Sequence, residues 1–155
     1  MQFLIFHLDK DSYAMPTTGI ARVLPLMELK TLPQAPSFVA GLMNLHGQAV
    51  PVIDLCRLAC GRPHAARFDT RILLLDYAPR EGRTHPLGLI AEKVEGIISI
   101  DPEQLNEACV DNQGAPYLGK VATHGGRIVQ LISAERLLTE DVRGILFPQE
   151  GGPSA

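Results

Sequence analysis

Apolar positions along the chain fall into short runs rich in Val, Ile and Leu, broken repeatedly by the 14 Gly and 12 Pro residues. Runs of that length bounded by turn formers predict strands rather than helices. They place strands over Gln2 to Leu8, Tyr13 to Pro16, Ile20 to Leu24, Gly41 to Leu45, Ala49 to Ile53, Arg71 to Tyr77, Leu87 to Ile100, Tyr117 to Thr123 and Arg127 to Ile132. The long Leu87 to Ile100 run is expected to bend at Gly96. Turns are predicted at Asp9-Lys10-Asp11-Ser12, Pro79-Arg80-Glu81-Gly82 and His124-Gly125-Gly126, where Gly accepts positive φ and Asp bonds locally. Leu32-Pro33-Gln34-Ala35-Pro36 is too rich in proline for either regular element and reads as a linking loop. Helical signal is confined to one turn after Asp54 and to Ser133–Leu138, where Ser133 is placed to cap. Residues 148–155 read as a frayed tail.

The two halves resemble each other. Gly47 to Leu58 lies over Gly126 to Leu137, each a strand leading into a capped turn of helix, so that Asp54 and Ser133 become equivalent N-caps. A weaker match lays Ile20, Val23 and Leu24 over Val94, Ile97 and Ile98. Each half therefore repeats a hairpin, a strand, a tight turn, a strand and a short helix. The prediction is an all-β fold of two small barrels, about 2–67 and 68–142, with strand exchange between them possible. About 70 residues bury too little surface to stand alone, so the barrels should share one core.

Composition narrows the function classes. The chain has 155 residues, 46% hydrophobic and 20% charged, with a formal net charge of −3. Its charges are interspersed, and its aromatic fraction of 5% includes no Trp. Neither a basic footprint nor a stacking platform for nucleic acid results. No apolar run reaches the roughly 18 residues of a membrane span, and the opening residues are strand-like rather than a signal sequence. A cytoplasmic location is expected. Cys56, Cys60 and Cys109 are an odd set in a chain of this size, and disulfides are not expected.

Candidate chemistry is sparse. Gly114-Ala115-Pro116-Tyr117-Leu118-Gly119-Lys120 has phosphate-loop spacing, but Val121 stands where Ser or Thr should ligate magnesium. Cys56, Cys60 and His64 follow at four-residue intervals as zinc ligands on a helix would, but Gly61 and Pro63 interrupt that helix. There is no Gly-x-Ser-x-Gly turn, and His7 and His85 read as strand or surface side chains. The reading is of a protein without catalytic groups, metal or cofactor; a small metal- or nucleotide-binding protein is the remote alternative. What remains conspicuous is Gly41 to Leu55, where Asn44 and His46 interrupt apolar strand positions between Gly41 and Gly47. Glycines so placed mark a turn or a close approach.

That segment closely resembles the signature of the CheW family of bacterial chemotaxis coupling proteins: Asn-Leu-Arg-Gly, a few residues, then Val-Pro-Val-Ile-Asp-Leu. Here Asn44-Leu45-His46-Gly47 precedes Val50-Pro51-Val52-Ile53-Asp54-Leu55, with His46 in place of the arginine. The similarity spans about residues 2–138. It implies two SH3-like five-stranded β-barrels packed around a shared core, with short helices, in a single domain over 2–142. It also implies an adaptor binding a chemoreceptor cytoplasmic signalling tip and the regulatory domain of a CheA-type kinase, recruited to membrane-bound receptor arrays without inserting in the membrane. A stand-alone coupler is expected, since no receiver, ATP-binding or dimerisation domain is recognised; an array adaptor without kinase coupling is the alternative. Family positions affecting coupling fall on Ile20, Arg22, Gly41, His46 and Gly47, with Asn44 beside them. Relatives usually carry glutamate at the position of Arg22. A Glu and an Arg on neighbouring strands would pair, whereas Arg22 and a protonated His46 would repel. A single imidazole also replaces a bidentate fork. From this a receptor other than the standard flagellar one is expected, such as that of an array governing surface behaviour.

Overall fold

The computed structural model describes residues 1–8, 10–78, 84–107 and 115–147. Nine strands are present among them: β1 (Gln2–Leu8), β2 (Asp11–Pro16), β3 (Ile20–Pro25), β4 (Val39–Leu45), β5 (Gln48–Asp54), β6 (Arg71–Tyr77), β7 (His85–Ser99), β8 (Leu118–His124) and β9 (Arg127–Ile132). Two short helices follow the repeats, α1 (Leu55–Cys60) and α2 (Glu140–Leu146). Every strand predicted from the sequence is found. The expected turn at Pro79 to Gly82, Asp9, Cys109, Gly114 and the tail 148–155 lie outside the described residues.

Ladder pairing resolves the strands into two five-stranded sheets that share β7. The first runs β3-β6-β7-β5-β4, using the Pro86–Ala91 portion of β7 among others. The second runs β7-β1-β2-β9-β8, using Glu92 and Gly96–Ser99. In both, the central pairing is parallel, β5 with β7 and β2 with β9. The two sheets thus exchange elements across the expected division near residue 67: the β1–β2 hairpin joins the sheet of β8 and β9, while β6 and the start of β7 join that of β3, β4 and β5. The crossings are irregular in both repeats. A short 3-10 turn at Thr17–Gly19 separates β2 from β3. The other crossing stays within β7, whose register on β1 jumps between His7↔Glu92 and Ile5↔Gly96. Lys93 and Gly96 both take positive φ there, so the bend predicted at Gly96 spreads over four residues.

Side-chain alternation explains the shared core. On β1, Phe3 and Ile5 face the interior of the second barrel, while Leu4, Phe6 and Leu8 enter the large cluster between barrels. On β6, Ile72 and Leu74 face the first barrel's interior, while Leu73, Leu75 and Tyr77 enter the same large cluster. Both strands are therefore buried on both faces, which is why they read as unbroken apolar runs. Burying each such Leu, Ile or Phe stabilises by about 1.5–3 kcal/mol.

The helices depart from expectation at the C-terminal end. Asp54 caps α1 by accepting from the Arg57 N–H at 3.3 Å. Ser133 occupies the matching position but makes no side-chain cap, and only a 3-10 turn over Ala134–Arg136 forms instead of a helix through Leu138. Leu137 and Leu138 are drawn into the shared core. A new helix then starts at Thr139, whose hydroxyl accepts from the Val142 N–H at 3.3 Å. Two acidic residues in its first turn, Glu140 and Asp141, suit the helix dipole. Phe147 beyond it stacks on Tyr77 and His85, so the chain's last described segment lies against the first barrel.

Candidate functional site

All six residues singled out in the sequence fall on the first sheet, on its two terminal strands or the turn leaving one of them. Ile20 and Arg22 are on β3; Gly41 and Asn44 are on β4; His46 and Gly47 form the two-residue turn from β4 to β5. Both turn residues have positive φ, 52° for His46 and 88° for Gly47, the type I′ hairpin pattern that matches strand twist. The Asn44 side-chain oxygen accepts from the Gly47 N–H at 2.8 Å, closing the turn from inside. His46 is thus an exposed side chain held on a left-handed backbone, a conformation uncommon for residues other than glycine, though less so for His, Asn and Asp.

Gly41 serves the other purpose anticipated for it. Lys30 pairs with Leu42 through two 2.8 Å backbone bonds, covering the outer edge of β4. A Cβ on Gly41 would sit 2.4 Å from the Lys30 carbonyl oxygen, and φ is 147°. The chain between β3 and β4 can approach only because that side chain is missing. Lys30 gave no sequence signal, since its contribution is a carbonyl oxygen.

Arg22 and His46 are not cross-strand neighbours, so the contact across adjacent strands anticipated for these positions does not arise. β3 pairs with β6, placing Arg22 opposite Leu74, and β3 and β4 lie at opposite ends of the hydrogen-bonded order. Neither side chain makes a hydrogen bond or ion pair among the described residues. Ile20 packs against the shared core, whereas Arg22 is exposed beside Val23, an apolar residue 46% exposed. Of the exposed residues of β3, Ala21, Arg22, Val23 and Pro25, Arg22 carries the charge and Val23 is the large aliphatic one.

At the other end of β5 the polar groups are internally committed. Asp54 also accepts from the His64 N–H at 3.0 Å and lies 2.9 Å from His64 Nδ1. Glu92 accepts from the Ala65 N–H at 2.7 Å and from Arg62 at 3.1 Å. Burial would raise the Glu92 pKa, but these donors outweigh it and hold the carboxyl below its ordinary range. Burial, with Glu92 alongside, pushes the Cys56 thiol up to about 12. Cys56 is buried, Cys60 exposed, and His64 is bonded to the capping Asp54; no cluster of three or more His, Cys, Asp or Glu placed to hold a metal ion occurs among the described residues. Gly119 and Lys120 lie within β8, where a phosphate loop would need a helix. No helix among the described residues is long and apolar enough to cross a membrane.

Comparison with known proteins agrees with this architecture. The model of the CheW-like domain family matches residues 2–142. Chemotaxis protein CheW of Helicobacter pylori is 27% identical over 146 residues, covering 91% of this chain and 83% of that protein. The protein of the same name from Klebsiella aerogenes is 24% identical over 142 residues, covering 90% and 82%. The crystal structure of scaffolding protein TtCheW from Thermoanaerobacter tengcongensis superposes with a TM-score of 0.78 at 22% identity, covering 91% of this chain and 89% of that one.

Proposed function

The chain belongs to the CheW-like domain family, and from that premise we propose that it is a non-enzymatic adaptor coupling a methyl-accepting chemoreceptor to a CheA-type histidine kinase. It works in the cytoplasm at membrane-bound receptor arrays and needs no cofactor. The observation that carries this reading is the β4–β5 turn, where exposed His46 is held at φ 52° by a turn that Asn44 closes. A residue kept in a left-handed conformation at a barrel edge supports a role for its side chain in contact. Arg22 and Val23 on β3 offer a charged and an apolar contact from the other end of the sheet. Ile20, Gly41, Asn44 and Gly47 then act through backbone placement and packing.

Titration calorimetry against the regulatory domain of each CheA homologue of the same genome, and against its receptor signalling tips, tests the reading. Binding to one kinase and one receptor supports it. Binding to receptors alone, with no kinase engaged at about 1 mM, a level worth about −4 kcal/mol, replaces it with an array adaptor lacking kinase coupling. Weak single contacts are expected, because arrays gain strength from effective concentration. The departures at Arg22 and His46 support service to a receptor other than the standard flagellar one, such as that of an array governing surface behaviour. Reverting both, as R22E with H46R, should raise affinity for a standard receptor tip; unchanged affinity removes that part.

A further inference from the structure

The linker between the repeats lies at the opposite end of β5 from the His46 turn, about 20 Å away along the strand at 3.3 Å per residue. It borders a recess of about 320 Å³ lined by His7, Arg62, Ala65, Arg67, Glu92 and Lys93. Three of these are permanent cations. The carboxylate among them, Glu92, is already shared by the Ala65 N–H and Arg62. Glu95, near the rim, lies 2.9 Å from His7 Nε2. The Arg67 guanidinium and the Lys93 ammonium make no hydrogen bond or ion pair among the described residues. Counting Arg62, Arg67 and Lys93 against Glu92 and Glu95, the recess keeps a net positive charge, with Arg67 and Lys93 as its unpaired cations among the described residues.

Two further observations mark it as a contact surface. Phe68, adjacent to Arg67, is 89% exposed, the most exposed of the large apolar residues described. The linker backbone beneath it is fixed rather than loose: Thr70 donates to the Ala65 carbonyl at 2.7 Å and accepts from the Arg67 N–H at 3.1 Å, and the Val94 N–H donates to the Asp69 carbonyl at 3.1 Å. An aromatic presented on a rigid loop is the composition of an interface anchor. Lys93 takes φ 46°, and the alignment of Ile20 with Val94 lays Gly19 over it. Gly19 is not itself left-handed, so the conformation of Lys93 is peculiar to the second repeat, an outlier of the kind that accompanies binding sites.

We propose that this surface docks an acidic segment of a partner protein, its carboxylate entering the recess against Arg67 and Lys93 and a neighbouring apolar side chain covering Phe68. Charge complementarity selects the acidic partner. Bound there, the segment would leave the His46 turn free, so two partners could be held at once. The inference rests on the adaptor reading only in taking the partner to be a protein, and its test uses no receptor or kinase.

The test selects a displayed library of random 12-residue peptides on the full chain and in parallel on a variant carrying R67E and F68S. Both residues are exposed, and an unchanged amide NMR spectrum outside the linker verifies the variant's fold. Peptides retained by the parent and lost by the variant should carry Asp or Glu beside an apolar residue. Their binding to the parent should fall at least tenfold with K93G, and their chemical-shift changes should centre on residues 62–68 and 92–95. Absence of variant-dependent peptides, or variant-dependent peptides without acidic bias, overturns the proposal. Failure here with intact receptor and kinase binding leaves the adaptor reading standing, and the converse pattern overturns that reading alone.

Discussion

The β4–β5 and β8–β9 hairpins share a turn and an edge bridge but build them by different means. Both close through two residues of positive φ, His46-Gly47 in one and Gly125-Gly126 in the other. Both have their outer edges bridged at matching positions, Leu42 by Lys30 and Val121 by Asn106, each through two 2.8 Å bonds. The second hairpin uses glycines at both turn positions, and Lys120 stands where the first has Gly41. The first accepts a histidine on a strained backbone, closes it with Asn44, and omits a side chain where Lys30 approaches. Matching turns and edge bridges with unequal side chains separate what the fold needs from what the first barrel adds. The turn geometry belongs to the fold; His46 and its clasp are additions.

The largest expected effect comes from exchanging the edge residues. G41A should destabilise by well over about 1 kcal/mol, because the new Cβ meets the Lys30 carbonyl on a backbone of positive φ, whereas K120G should cost no more than about 1 kcal/mol. Urea unfolding of both variants measures the contrast, and equal losses would break it. Next in size is an acid dependence tied to the linker. Glu92 has a folded pKa below its ordinary value, so its stabilisation is complete above the unfolded value of about 4.3 and lost as pH falls through the folded one. E92Q should therefore be less stable than the parent at pH 7, with the gap narrowing by pH 3 in parallel melts.

Removing the clasp comes third. N44A should cost about 1 kcal/mol, the worth of one hydrogen bond, while T123A at the matching position of β8 should cost less. Proton exchange at the Gly47 amide should speed up in the first variant, and N44D should restore protection. The smallest change in stability is expected from H46G, which relieves left-handed strain but loosens the unfolded chain, leaving a net shift within about 1 kcal/mol. Its partner binding should nevertheless weaken, and calorimetry that found binding intact would remove His46 from the contact surface.

Much of this was legible in the residues. The strands, the Asp54 cap and the pseudo-repeat follow from local chemistry: alternation, turn formers and an N-cap are all short-range signals. Gly41 and Gly47 were marked as a turn or a close approach, and the structure assigns one role to each. The Ser133–Leu138 segment shows the limit, because helix propensity yielded to burial of Leu137 and Leu138 in the shared core. The α2 start at Thr139-Glu140-Asp141 carries a readable cap with acidic residues, though too short an apolar pattern follows to mark a helix. That β3 and β4 do not pair was not readable at all, since strand order depends on pairing between distant segments. The same holds for the Lys30 carbonyl and for the recess, which gathers residues from β1, β7 and the linker.

The exchange of hairpins between sheets has a consequence during synthesis on the ribosome. β1 finds its sheet partners Gly96–Ser99 only after some ninety further residues have been translated, which at about 5–20 residues per second leaves it waiting roughly 5 to 20 s. Throughout that interval a strand with apolar residues on both faces is paired only with β2. The nascent chain is therefore most vulnerable to aggregation at its beginning, and faster translation between β2 and β7 should raise the yield of folded protein.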